Sequence, residues 1–100
     1  MELPELRIKD HGTLRDINGV KKSFKVGRYV TLRQSNYPKK TFVLQEITFE
    51  DGKQEIRVGY YIIGKKPEMR DRWVWGQYCP LFPKGDLEKL IEKARASGIL

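Results

Sequence analysis

Residues 41–64, TFVLQEITFEDGKQEIRVGYYIIG, carry the strongest structural signal in the chain. Asp51-Gly52 at their centre favours a type I′ turn, which needs positive φ at both central positions. With Glu50 and Lys53 as the closing pair, Phe49 is expected opposite Gln54, Ile47 opposite Ile56, Gln45 opposite Val58 and Val43 opposite Tyr60. Side chains alternate along a strand, so this register predicts one apolar face of Val43, Ile47, Phe49, Ile56, Val58, Tyr60 and Ile62, the expected core side. The opposite face then carries Glu46–Arg57, Thr48–Glu55 and Glu50–Lys53 near the tip. Away from the tip it turns apolar and aromatic, with Leu44 opposite Gly59 and Phe42 opposite Tyr61.

Upstream, a strand is expected over residues 26–34. Val26, Val30 and Leu32 would face the core, with Lys25, Tyr29, Thr31 and Arg33 on the other side. Ser35-Asn36-Tyr37-Pro38 supplies turn-forming residues before the hairpin. Downstream, GKKPEMRD leads into RWVWGQYC as a further strand. Pairing Trp73 with Ile63 sets Trp73 and Trp75 beside Tyr61 on the non-core face and turns Val74, Gly76 and Tyr78 toward the helix. Pairing Trp73 with Ile62 would bury both indoles. The first register is preferred, because two more indoles would overfill a core face that is already apolar throughout.

After Pro80 and Pro83 the period changes. Leu87, Leu90, Ile91 and Ala94 fall at i, i+3, i+4 and i+7, which predicts an amphipathic helix over residues 85–97. Asp86 and Arg95 suit its two dipole ends, and Gly98 suits a left-handed C-terminal cap. The helix is expected across the core face, with Leu81 and Phe82 filling the corner. Residues 1–24 are undetermined: LRIK reads as an edge strand, and Asn18-Gly19 as a second tight hairpin. The expected fold is one α+β domain over residues 1–100. A four-stranded antiparallel meander occupies residues 26–79, five-stranded if the N-terminal segment joins, and one C-terminal amphipathic helix packs on one face.

The 100 residues carry a formal charge of +7, unevenly spread. Between Ile17 and Gln45 there is no acidic residue, while that span holds Lys21, Lys22, Lys25, Arg28, Arg33, Lys39 and Lys40. A basic stretch without carboxylates suits a polyanion. The chain lacks an apolar run of the ~18 residues a membrane helix needs, and its first residues lack the pattern of a signal peptide. A soluble cytoplasmic protein with no membrane partner is the corresponding expectation. Cys79 is the sole cysteine, which excludes an intrachain disulfide and a multi-cysteine zinc site.

His11 is the sole histidine, and there is no Gly-rich phosphate loop or nucleophile elbow. No catalytic residue, metal or cofactor is therefore expected. The enzymatic alternative would be a small nuclease using Glu46, Glu50, Asp51 and Glu55, or chemistry at Cys79 with His11.

What remains is basic charge interleaved with aromatic rings on a sheet. Bases of single-stranded nucleic acid stack on exposed rings while Lys and Arg follow the phosphates. The reading is a small single-stranded DNA- or RNA-binding protein. Phosphate contacts are assigned to Lys21, Lys22, Lys25, Arg28, Arg33, Lys39, Lys40, Lys65 and Lys66, and base stacking to Tyr29, Tyr61, Trp73 and Trp75. Arg57 is assigned to base or phosphate. The alternative is a protein–protein or homodimerisation module using the same aromatic face, since interface centres share this composition. The order of elements over residues 41–96, including PLFPKGDLEKLIEKA, resembles in arrangement the positive-cofactor-four type of transcriptional coactivator. That resemblance implies single-stranded DNA binding as a dimer and transfers no individual residue.

Overall fold

The protein is described by a computed structural model covering residues 3–64, 66 and 71–100. Five strands follow one another: β1 (His11–Arg15), β2 (Lys21–Arg33), β3 (Lys40–Phe49), β4 (Gln54–Ile63) and β5 (Trp73–Trp75). One helix, α1 (Lys84–Ala96), closes the chain. The strands form a single antiparallel meander in the order β1-β2-β3-β4-β5, curled into a half-barrel, with α1 against β2 and β3. The α+β class is as expected, and the N-terminal residues supply the fifth strand through the Asn18-Gly19 turn. LRIK is not a strand.

The β3–β4 hairpin forms at Asp51-Gly52 but one residue out of the expected register. Phe49 N–H donates to the Lys53 carbonyl and Gly52 N–H to the Phe49 carbonyl, each at 2.9 Å. The loop is thus Glu50-Asp51-Gly52, with Gly52 at φ +86°. A three-residue loop ending in a left-handed glycine is the other common way to close a hairpin. The β1–β2 loop repeats it: Asp16 N–H donates to Val20 O, Gly19 N–H to Asp16 O, and Gly19 has φ +79°.

The slip re-sorts the faces. Phe42 now opposes Tyr60, Leu44 opposes Val58, Gln45 opposes Arg57 and Val43 opposes Gly59. The expected core set is therefore divided between two faces, both apolar. On the helix face Phe42, Leu44 and Tyr60 are buried with Leu90, Ala94 and Ile99, and Val30, Leu32, Ile62 and Phe82 pack around them. On the opposite face Phe24, Val43, Ile47, Tyr61 and Ile63 are buried. Contacts between strands that are not neighbours, described below, mark this second face as the inside of the curl.

A bulge in β2 serves the same end. Val26 opposes Ile47, but Tyr29 opposes Gln45, so one extra residue enters between them. The alternation reverses there: Phe24 and Val26 face inward before the bulge, and Tyr29, Thr31 and Arg33 do so after it. Val26 thus leaves the Val30/Leu32 face on which the uniform alternation expected it, and Lys25, opposite Thr48, leaves the Tyr29 face. Bulges also bend and twist a strand, which suits a curled sheet.

The helix starts after Pro83, one residue before the expected boundary, without a side-chain N-cap. Asp86 is buried and accepts from the Ser35 amide at 2.8 Å, tying the helix to the β2–β3 loop. At the other end Ile99 N–H donates to Ala94 O and Gly98 N–H to Arg95 O, with Gly98 at φ +83°. This pair of bonds is a Schellman cap, and it folds Ile99 into the core. Phe82 stacks on Phe42 at 3.9 Å between centroids. Leu81 and Tyr78 are exposed instead of filling the corner or facing the helix. No helix among the described residues is long and apolar enough to cross a membrane.

Candidate nucleic-acid interface

The β4–β5 pairing places the tryptophans. Ile63 opposes Trp73 and Tyr61 opposes Trp75, so both indoles project from the face that carries Tyr61. Two glycines make room for rings, one on each face of the sheet. A Cβ on Gly59 would lie 2.4 Å from Cζ2 and Cη2 of Trp75, so the indole lies across that backbone. On the helix face a Cβ on Gly76 would lie 2.0 Å from the Tyr60 ring.

Tyr29, Arg33, Arg57, Tyr61, Trp73 and Trp75, six residues assigned to the site from sequence, share the inner face. The Arg57 guanidinium is 4.1 Å from the Trp75 ring centroid and 4.6 Å from that of Phe24, two strands away. Its Nε donates to Gln45 Oε1 at 3.0 Å. Arg33, on β2, reaches to 5.7 Å over Trp73 on β5. Such guanidinium–indole pairs gain from the negative ring face and keep the cation's planar donors free at its edge. Among the described residues, no carboxylate lies within ion-pair distance of either arginine. Desolvation lowers the Arg57 pKa, partly offset by Tyr61.

The rings differ in accessibility. Tyr29 is 48% exposed and Trp75 38%, while Tyr61 retains only 5%. Trp75 meets Tyr61 edge-on, at 5.2 Å and 85°. Residues 4–10 cross this face: Trp73 Nε1 donates to the Pro4 carbonyl at 2.8 Å, the Lys9 amide favours the ionised form of the Tyr61 phenol, and Val26 N–H donates to Asp10 O. Tyr61 is thus a support beneath Trp75 and the N-terminal segment.

The basic residues do not form one surface. Lys21, Lys25 and Lys39 are exposed and make no ion pair among the described residues. Lys22 lies 3.7 Å from the Asp16 carboxylate and 5.9 Å from the Phe49 ring centroid. Arg28, in the bulge, is held by Glu46 at 3.0 Å beside Gly98. Glu46 was expected opposite Arg57, and the register slip gives it to Arg28. Lys40 turns to the helix face, where its Nζ sits over Tyr60 and Phe42 and donates to Leu81 O. Desolvation there lowers its pKa. Lys66 is exposed, and Lys65 lies outside the described residues.

Two inner-face residues escape the sequence reading, Phe24 and Gln45. Phe24 lies upstream of the expected strand, and Gln45 is wholly buried with Nε2 unpartnered among the described residues. Their signal is weak, because a bulge separates Phe24 from the strand's later alternation. Among the described residues no three or more His, Cys, Asp or Glu side chains are grouped to hold a metal. His11 is bonded to Asp10 at 2.6 Å, and Cys79 is exposed with a free thiol. No family model, curated protein or solved structure matches this chain.

Proposed function

We propose that the protein binds single-stranded nucleic acid, DNA or RNA, along its inner face and the basic rim beside it. The observation that carries this reading is the pair of arginines placed over tryptophan rings, Arg33 over Trp73 and Arg57 over Trp75, without carboxylate partners among the described residues. A guanidinium over an indole face keeps N–H donors for a phosphate. The accessible part of Trp75 and the half-exposed Tyr29 offer ring surface to bases. Lys21, Lys22 and Lys39 add charge around the rim, while Lys25 points from the opposite face and Lys40 and Arg28 are committed elsewhere.

The test is a fluorescence titration with short oligothymidylate and oligouridylate strands at several salt concentrations. If about four phosphates are neutralised, affinity falls roughly 50-fold between about 50 and about 200 mM salt, at ~0.7 logarithmic units per phosphate. Arg33→Ala should flatten that slope, and Trp75→Ala should weaken binding at every salt concentration. An affinity indifferent to salt, or no binding to either strand, refutes the proposal.

A further inference from the structure

β5 covers only part of β4. The two pair at residues 61–63, and Gly76 N–H adds one bond to the Tyr60 carbonyl. From Gln54 to Gly59 no strand among the described residues lies on that side of β4. The direction of its free groups follows from those that are used. Lys53 O and Ile63 N–H bond toward β3, and Tyr60 O bonds toward β5. Odd-numbered backbone groups therefore point to β3, and those of Gln54, Ile56 and Val58 point outward. This edge contains no proline, and the β3–β4 register has no bulge. Ile56 and Val58 remain 43% and 39% exposed. Glu55 is exposed and, like Arg57, has no ion-pair partner among the described residues.

We infer that a second copy of this chain pairs along this edge, β4 antiparallel to β4, about a two-fold axis through Ile56. Only an axis through Ile56 pairs the outward groups of Gln54, Ile56 and Val58 all at once, and charge favours it over the axes on either side. Outward groups must meet outward groups, so an axis can pass only through a residue and never between two. Through Glu55 it would oppose Glu55 to Glu55 and Lys53 to Arg57. Through Arg57 it would oppose Arg57 to Arg57. Through Ile56 it opposes Glu55 of each copy to Arg57 of the other, twice by symmetry.

The same axis sets Ile56 against Ile56 and Gln54 against Val58, with the outward N–H and C=O groups of all three paired. Glu55 and Arg57 then occupy non-hydrogen-bonded positions, where facing side chains approach most closely. Arg57, already held by Gln45, Phe24 and Trp75, gains the carboxylate it lacks. The axis is perpendicular to the sheet, so the two inner faces lie on the same side of one continuous sheet. In the dimer Arg57 is committed to Glu55 of the other copy, so the phosphate contact of the proposed function falls to Arg33, over Trp73, which this pairing leaves without a carboxylate.

The test is sedimentation equilibrium and light scattering on the full chain. The wild type should have twice the chain mass. Glu55→Arg creates two like-charge oppositions and should raise the dimer dissociation constant at least ~tenfold. Ile56→Lys, on the exposed helix-side face, should do the same with unchanged circular dichroism. Glu55→Arg/Arg57→Glu should restore the dimer, because the charges oppose again in exchanged positions. A wild type that stays monomeric up to its solubility limit overturns the inference. So does a dimer indifferent to both Glu55→Arg and Ile56→Lys, and these two keep the test decisive if Arg57→Glu unfolds.

Discussion

Gly59→Ala is expected to destabilise the fold through one identifiable contact. Gly59 is not among the positive-φ residues, so alanine meets no backbone strain there. Its Cβ, however, would stand 2.4 Å from two atoms of the Trp75 ring. Carbon atoms pack at ~3.5–4.0 Å, so the indole must retreat by at least ~1 Å. Retreat loosens its edge-on contact with Tyr61 at 5.2 Å and its cation–π contact with Arg57 at 4.1 Å. Overfilling of this kind costs about 1–3 kcal/mol. The lower entropy of the unfolded alanine chain returns about 0.4–1 kcal/mol. The net loss should be about 1–2 kcal/mol, read from urea unfolding followed by circular dichroism. The decisive comparison is the same substitution in a Trp75→Leu background. With the indole gone, Gly59→Ala should be neutral or mildly stabilising, so the two sites couple by more than 1 kcal/mol, roughly. An equal cost in both backgrounds would refute the packing described around Trp75.

Leu90 is fully buried between α1 and the sheet, so Leu90→Ala should cost about 2–5 kcal/mol, measured by the same unfolding curve. Trp73→Phe removes the donor to the Pro4 carbonyl. It should speed amide exchange or proteolysis in residues 3–9 while leaving β3 and β4 protected, and unchanged protection of that segment would count against its docking on this face. Burial raises the Tyr61 pKa above 10.0, offset in part by the Lys9 amide and by Arg57. The folded state therefore keeps this proton longer than the unfolded chain. The contribution is complete below the unfolded value and is lost as pH rises through the folded one. Lys40, lowered from 10.5 by desolvation, has the opposite sign, since its contribution grows as pH rises through its folded value. Tyr61→Phe should thus lose stability less steeply above pH 10 than the wild type, with Lys40 common to both, and parallel alkaline profiles would refute the assignment.

Local signals were legible wherever one short stretch carried them. The helix is such a case: the spacing of Leu87, Leu90, Ile91 and Ala94 and the glycine at 98 predict residues 85–97, and the helix spans Lys84–Ala96. Asn18-Gly19 and Asp51-Gly52 mark both loops for the same reason, that positive φ favours glycine. The pairing of Trp73 with Ile63 was also readable, and it brings Arg57, Tyr61 and Trp75 to one face. The burial of Tyr61 was not, because a single-sided core leaves the other face open.

The amino-acid order by itself determined where the chain turns, which segments are extended and which one is helical. It also concentrated positive charge and aromatic rings in and around the sheet. The tertiary structure decided the register of the hairpin and the number of its buried faces. In TFVL and YYII, consecutive apolar residues satisfy either alternation, and a glycine at position 52 closes a two- or a three-residue loop. That choice fell to the packing of Leu90 and Phe82 on one side and the curl of β1, β2 and β5 on the other. Burying apolar surface on both faces at once stabilises the sheet more than burying it on one.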